Sequence, residues 1–449
     1  MSVLDKKRVI ARRKSKKHTC VSVAIFFCIA SGVRRDEAGG RRCSLGDDVF
    51  VRQFFLCLAN EQKITTPKKK GFILYNGCAM WTYKLLTFYH FVHVPHPHDE
   101  VARMGQFCRD IGIKGRIYIG PEGISATCSV NPGQYAALRM YLQQTGYFAS
   151  IPDIEDKRSD VDSHVFEKMI VKYRDEIVAL DQQVDPRQVH ETLQEVKPEE
   201  FKDMLEHWSD EYAVLDMRNT YEYKLGHFEH AIPAGTNSFR DVTGMFETYK
   251  NLFAQKKKVV MYCTGGVRCE KLSVLLKKHG ITNVYALNGG VVKYINRYND
   301  GKWLGNLYTF DGLVSTKVGD DTTHTKIGTC IYTGCKTDNV ENCRYSPCNA
   351  RIICRRKAYK MHGGFCSHEC FTKAREDLLI KNDTRDTFDY KAIRTAVKTG
   401  SMSRDEASRL VSDHVDSIVK VHHFVHQTSQ KEDIVDRDYL ARWLEKNPI

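Results

Sequence analysis

A buried strand that ends on a cysteine and passes through glycines straight into a helix leaves few ways to fold. Val259-Val260-Met261-Tyr262 is an unbroken apolar run, and Cys263-Thr264-Gly265-Gly266-Val267-Arg268-Cys269-Glu270-Lys271 carries it into Leu272–Lys278, which reads as a helix. Gly265 and Gly266 let backbone N–H groups turn inward around the Cys263 sulfur, and the helix N-terminus adds partial positive charge. Arg268 can supply a full charge. Together these describe a cradle for a thiolate, the form of cysteine that attacks sulfur or carbon electrophiles and carries a persulfide. Cys269 is placed to resolve such a persulfide. The competing reading of Cys263 is a small core residue at a strand end, where many free cysteines sit.

The residues around the loop repeat the strand–helix theme. Ala213-Val214-Leu215-Asp216-Met217-Arg218-Asn219 reads as a strand running into a turn, and Val284-Tyr285-Ala286-Leu287-Asn288-Gly289-Gly290-Val291 as a last strand with a glycine turn. Such alternation from about His190 to Asp300 implies a parallel sheet covered on both faces, with the loop at a strand's carboxyl end, where open α/β sheets bind ligands. Asp216 and Arg218 are expected to support the loop and not to do chemistry. Arg218 would brace it through bidentate hydrogen bonds, the alternative being a surface salt bridge. Upstream, the expected order is strand Leu85–Val92, helix Glu100–Ile111, strands Gly115–Ile119 and Ile124–Val130, helix Pro132–Thr145 and strand Met169–Lys172. This β-α-β-β-α-β order implies a ferredoxin-like domain. His90, His93, His96 and His98, broken by Pro95 and Pro97, are read as a strand end and its loop, not as a metal tract.

These motifs, in this order, resemble the rhodanese-domain tRNA uridine(34) hydroxylases, oxygen-dependent and of bacterial type, and their eukaryotic rhodanese-like-domain relatives. The likeness rests on C-T-G-G-V-R-C-E-K, on Asp216-Met217-Arg218-Asn219 with Tyr221-Glu222, and on Gly226-His227-Phe228-Glu229-His230-Ala231-Ile232. It continues in Trp303-Leu304-Gly305-Asn306-Leu307-Tyr308-Thr309-Phe310-Asp311 and, upstream, in Arg116-Ile117-Tyr118-Ile119, Glu122-Gly123-Ile124 and Val171-Lys172-Tyr173-Arg174 with Glu176-Ile177-Val178. Ser125 stands where the family usually shows asparagine. The resemblance runs from about Tyr83 to Phe371 and implies hydroxylation of the wobble uridine at carbon 5, with Cys263 essential and molecular oxygen as co-substrate. Rhodanese-type sulfur transfer from a sulfur donor, with a persulfide on Cys263, is the alternative, and a non-catalytic RNA or protein adaptor is a third reading. No organic cofactor is evident: there is no flavin fingerprint and no His-x-Asp/Glu facial triad.

The expected organisation is a basic leader, disordered arm or gene-model extension (1–82), a ferredoxin-like, acylphosphatase-like domain (83–182) and a rhodanese-like domain (190–302). A Cys-rich module (303–376) and a helical tail (377–449) follow. The net charge of +13 is concentrated at the front: residues 1–82 hold 17 Lys+Arg against 6 Asp+Glu, the rest 51 against 49. A tRNA surface on the body is therefore a local patch, expected between the first two domains, with Arg116, Lys172, Arg174 and Arg240 as candidates. The run from Lys6 to Lys17 before apolar Val21–Ala30 has the form of a leader, so the expected location is the cytoplasm, or a mitochondrion or plastid if residues 1–40 are a true leader. No apolar run reaches the roughly eighteen residues of a membrane span, and no stable membrane association is expected.

Seven of the 16 cysteines crowd into Cys330-x4-Cys335, Cys343-x4-Cys348, Cys354 and Cys366-x3-Cys370. With little apolar content between them they cannot build a core of their own, and structural zinc would supply the folding energy. The family carries four cysteine pairs here, enough for two tetrahedral sites. This chain spaces the first pair more widely and lacks a partner after Cys354, so a second site needs His362 or His368. Clustered sulfur beside a reactive thiol suits a reducing compartment. Beyond Lys381, Ser403-x-x-Glu406 is a capping box, with Ala407, Leu410, Val411, His414, Val415 and Ile418 at helical spacing, expected as a helix docked on the body.

Overall fold

The computed structural model describes residues 74–75, 78–79, 83–151, 155–156, 162–311, 313–377, 380–381 and 388–418. The basic segment with Val21–Ala30, and the tail beyond Ile418, lie outside the described residues.

The first domain is built on β1 (Lys84–Phe91), α1 (Pro97–Ile111), β2 (Lys114–Gly120), β3 (Gly123–Val130) and α2 (Pro132–Gln144). Local chemistry sets both helices. Pro97 opens α1 with Asp99 and Glu100 in its first turn, and Gly112 closes it in the left-handed region at φ +77°. Asn131 and Gln134 cap α2 reciprocally, each side chain accepting the other's N–H at 2.9 Å. Met104, Cys108, Ile117, Ile119, Cys128 and Leu138 pack in the core between helices and sheet. His90 lies in β1, His96 caps α1 and His98 lies in its first turn, stacked on Tyr173.

The sheet has one strand more than the sequence order implied. Met169–Tyr173 (β5) lies on the outer edge, parallel to β2, and the short Glu155–Asp156 (β4) takes the edge beside β1, giving the order β4-β1-β3-β2-β5. A parallel edge needs a long crossover, which the stretch between α2 and β5 provides. The face away from the helices carries Thr87, Tyr89, Arg116, Tyr118, Ser125, Thr127 and Lys172 in cross-strand register.

In the second domain Glu195–Val196 (β6), Tyr212–Asp216 (β7), Ala231–Pro233 (β8), Lys258–Tyr262 (β9) and Val284–Leu287 (β10) form an all-parallel sheet of order β8-β7-β9-β10-β6. Its central strands read as continuous apolar runs because both faces are buried. Leu215, Met261 and Ala286 pack into one core, while Val214, Val260, Tyr262 and Leu287 pack into another. Helix α3 (Val267–Lys278) follows β9 across the loop, and α4 (Gly290–Tyr298) follows β10.

Trp303–Tyr308 (β11) pairs antiparallel with Gly226–Phe228, which stitches the following segment to this domain. The Cys-rich module does have an apolar core, contrary to expectation. Tyr332, Ile352, Phe365 and Phe371 pack there with Tyr390, Ala407 and Val411 from the C-terminal helices Tyr390–Thr399 and Arg404–Ile418. The Ser403 hydroxyl accepts the Glu406 N–H at 3.1 Å, the first half of the expected capping box, but Leu410 is 40% exposed and lies outside the buried stripe. The helices add apolar surface to what the intervals between cysteines contribute. Among the described residues no helix is long and apolar enough to cross a membrane.

Candidate functional site

Cys263 follows directly on β9 and is almost wholly buried. Its Sγ accepts the Gly266 N–H at 3.1 Å. Burial alone would push its thiol up. The Cys269 hydrogen bond, the Arg268 charge and the N–H groups of Arg268 and Gly266 outweigh that and hold it at about 6. Cys269 pays the converse: burial and the hydrogen bond to Cys263 push its thiol well above the ordinary value. At neutral pH the site therefore holds one thiolate and one thiol in contact.

Two glycines make this geometry possible. Gly266 sits at φ +104°, a region side chains rarely adopt. Gly290, at φ +62°, lets the start of α4 approach so closely that a Cβ there would strike the carbonyl of Cys263. The N–H groups of Val291 and Val292 then donate to the carbonyls of Cys263 and Thr264, both at 3.0 Å. Gly265 has open space around it and an ordinary φ, so its side-chain position is not contested.

Arg268 does not stand free beside the sulfur. Its guanidinium forks onto Glu222 at 2.9 and 3.2 Å and lies 5.4 Å from the Phe310 ring. Arg218 is bidentate as expected, but its partner is Asp216, at 2.9 and 2.5 Å, and not the Cys263 loop. The same guanidinium donates to the Gly226 carbonyl at 2.5 Å, and Asp216 Oδ2 accepts the Tyr262 hydroxyl at 2.7 Å. Because Tyr262 immediately precedes Cys263, this fully buried fork anchors the strand end and reaches the loop only through it.

The first domain closes over the other side. The Tyr89 hydroxyl donates to Glu270 in the first turn of α3, and a Cβ on Gly266 would collide with that hydroxyl. One residue further on, Lys271 is fully buried and donates to both oxygens of Glu122 at 2.9 Å, to Glu176 at 2.5 Å and to the Val178 carbonyl at 3.1 Å. This knot ties the β2–β3 turn and the segment after β5 to the loop's helix. Sequence reasoning assigned no role to Tyr89, Glu122, Glu176, Glu222, Glu270, Lys271 or Gly290. A lysine and four glutamates inside the motifs were the available signal, though solvated charge is the commoner fate of those residue types.

Arg116, Lys172 and Arg174 are exposed around the open face of the first sheet, Arg174 lying 5.3 Å over the Tyr118 ring. Across that face the register runs Lys172, Tyr118, Ser125, Tyr89, ending at the loop. Arg240 stands apart on the second domain, paired with Asp181 at 2.9 Å.

Of the seven clustered cysteines, Cys343, Cys348, Cys366 and Cys370 converge, their sulfurs all within 4.8 Å of one another, and this group can hold a metal ion. Cys366 Sγ lies 3.6 Å from Cys348 Sγ and 3.4 Å from Cys370 Sγ. A tetrahedral ion with bonds of ~2.3 Å to sulfur wants ligands about 3.8 Å apart, so the spacing fits. Cys330, Cys335 and Cys354 lie outside the group: Cys330 Sγ accepts the Arg355 N–H at 3.2 Å, Cys354 is buried and Cys335 is exposed. His362, stacked on Tyr332, and His368 do not join it either.

Residues 83–177 match the UPF0176 acylphosphatase like domain, residues 197–297 the Rhodanese-like domain and residues 304–371 the Rhodanase C-terminal domain. The tRNA uridine(34) hydroxylase of Bacillus velezensis is 34% identical over 305 residues, covering 67% of this chain and 92% of its own. That of Chlamydia trachomatis is 35% identical over 294 residues, covering 64% and 86%. A solved Rhodanese-like domain from Anabaena sp. is similar over 25% of this chain and 78% of its own, at 20% identity and a TM-score of 0.21, too low to carry weight.

Proposed function

We propose, on the premise that this chain belongs to the tRNA uridine(34) hydroxylase family, that it hydroxylates the wobble uridine of tRNA at carbon 5 through Cys263. The observation that carries the reading is a buried sulfur that accepts the Gly266 N–H at 3.1 Å, next to a buried arginine and at a strand's carboxyl end. Carbon 6 of uracil is electrophilic through conjugation with the carbon 4 carbonyl. Addition of the thiolate there would make carbon 5 nucleophilic toward molecular oxygen, the co-substrate; one oxygen atom stays on carbon 5 as hydroxyl and the other leaves as water, with two electrons and two protons drawn from an external two-electron reductant. In this reading Gly266, Arg268 and Cys269 tune the sulfur, while Asp216 and Arg218 position its strand.

The target base has to leave its stack to reach a buried sulfur, with phosphates held nearby. The basic and aromatic face from Lys172 to Tyr89 supports an RNA path into the loop, with Arg116 and Arg174 beside it. Arg240, already paired, is the weakest of the four candidates. The four-sulfur group supports structural zinc at a single site, since an all-thiolate tetrahedral set is that ion's usual structural environment. On this reading the first two domains form one catalytic unit and the Cys-rich module buttresses it.

Nucleoside mass spectrometry tests the reading. Cells lacking the protein are complemented with wild type or with Cys263→Ser. Wild type should restore 5-hydroxyuridine-type nucleosides and Cys263→Ser should not. Unchanged nucleosides in the absence of the protein overturn it, and thiosulfate-to-cyanide transfer lost in Cys263→Ser would then favour sulfur transfer.

A further inference from the structure

Most carboxylates around the Cys263 loop face cations: Asp216 meets Arg218, Glu222 meets Arg268, and Glu122 and Glu176 meet Lys271. Glu270 instead meets a tyrosine hydroxyl and, among the described residues, no cation. A half-buried carboxyl beside a thiolate, matched to a neutral donor, is an odd choice for structural support. Burial raises it, the Tyr89 hydrogen bond works against the rise, and the charges of Glu195 and Cys263 add to it, leaving it at about 7. Such a group exchanges protons near neutral pH.

Its position is equally specific. A Cβ built on Gly266 would lie 3.7 Å from Glu270 Oε1 and against the Tyr89 hydroxyl, and Gly266 is the residue whose N–H holds the sulfur. Tyr89 reaches this point from the first domain, at the end of the half-buried row that begins with exposed Lys172. The carboxyl therefore stands where the row of polar and aromatic side chains meets the thiolate loop.

We propose that Glu270, held in place by Tyr89, is the base that removes the carbon 5 proton of the target uridine. The inference rests on the reading that Cys263 adds to carbon 6. Once oxygen is bonded to carbon 5, that carbon still carries its hydrogen. Its C–H bond breaks and the electron pair forms the carbon 5–carbon 6 double bond. The carbon 6–sulfur bond breaks and its pair returns to Cys263 as thiolate, while the proton passes to the Glu270 carboxylate. This step needs no oxidant, because molecular oxygen was consumed before it. Tyr89 is a positioning residue: its hydroxyl fixes the carboxylate and keeps one of its oxygens from turning to solvent.

Blocking the step should strand tRNA on the enzyme, which a merely structural role of Glu270 would not do. Full-length Glu270→Gln, nearly isosteric and still able to bond Tyr89, is expressed in cells lacking the protein, beside wild type, Cys263→Ser and the double variant. The expected result is a roughly 100-fold loss of 5-hydroxyuridine with a denaturation-stable protein–tRNA adduct, absent from wild type and abolished in the double variant. Tyr89→Phe should lose less and accumulate less adduct. Wild-type nucleoside content in Glu270→Gln, or its loss without any adduct, overturns the inference while leaving Cys263 in place. Full activity in Cys263→Ser overturns the underlying reading instead, and the inference with it.

Discussion

Cys263 and Cys366 are both buried sulfurs, yet their surroundings ask different things of them. Cys263 meets N–H donors, an arginine and one thiol, inside a domain whose two apolar cores are built mainly from aliphatic and aromatic side chains. Cys366 faces Cys348 at 3.6 Å and Cys370 at 3.4 Å, with Cys343 completing the set. Four thiols packed this way bond weakly when neutral and repel when ionised, so a bound cation would make the cluster favourable. The contrast predicts that the first sulfur can be replaced without loss of the fold, whereas replacing a member of the second group should cost stability.

The sharpest way to break this contrast is to remove one sulfur from each region. Cys366→Ser, or a strong chelator on the wild-type protein, should strip bound metal and lower the thermal midpoint by ~10 °C or more, because metal binding free energy is here folding free energy. Cys263→Ser should leave the midpoint within about 2 °C, since it exchanges one small buried group for another in a core that other residues build. Metal content by elemental analysis, with thermal unfolding of both variants, decides it. Equal midpoints for the two would mean that the Cys-rich module stands on its apolar core alone.

A second experiment reads the same contrast through reactivity. With Cys263 lowered to about 6, its alkylation should run at a plateau above neutral pH and fall as pH drops through about 6, where the thiolate takes up a proton. Arg268→Gln removes a charge that favours the anion and should move the midpoint upward by about one unit, toward the ordinary value. Peptide-resolved mass spectrometry separates this from the cluster, whose sulfurs should stay unlabelled until chelator is added. A Cys263 that first reacts only near the ordinary thiol range would undo the cradle description.

What the sequence made legible follows from how far apart the partners are. The apolar run before Cys263 and the capping signal at Ser403 are local patterns, and each marks an element in the structure. Arg218 and Asp216 are two residues apart, so their pairing was half visible, but which group they would brace was not. Tyr89 and Glu270 are separated by 181 positions, Lys271 and Glu122 by 149. No periodicity links residues that meet only when two domains close on each other. The cysteine spacings suffered from the reverse problem. Cys330-x4-Cys335 and Cys343-x4-Cys348 have the same spacing, yet only the second pair converges, because Cys335 turns outward and Cys330 caps the N–H of Arg355.

The smallest expected effect separates backbone placement from side-chain space within the loop. Gly265 and Gly266 are neighbours in the motif, and sequence alone treats them alike. In the structure an added methyl at Gly265 meets nothing within 4 Å, and its φ lies outside the left-handed region. Gly265→Ala should therefore change stability by no more than about 0.5 kcal/mol and leave the Cys263 alkylation rate within ~twofold. Gly266→Ala places a Cβ against the Tyr89 hydroxyl at φ +104°, so strain of about 1–3 kcal/mol should tilt the N–H away from the sulfur and slow alkylation at neutral pH. If both substitutions proved equally mild, the N–H of Gly266 would not be what holds the thiolate, and Arg268 with Cys269 would have to suffice.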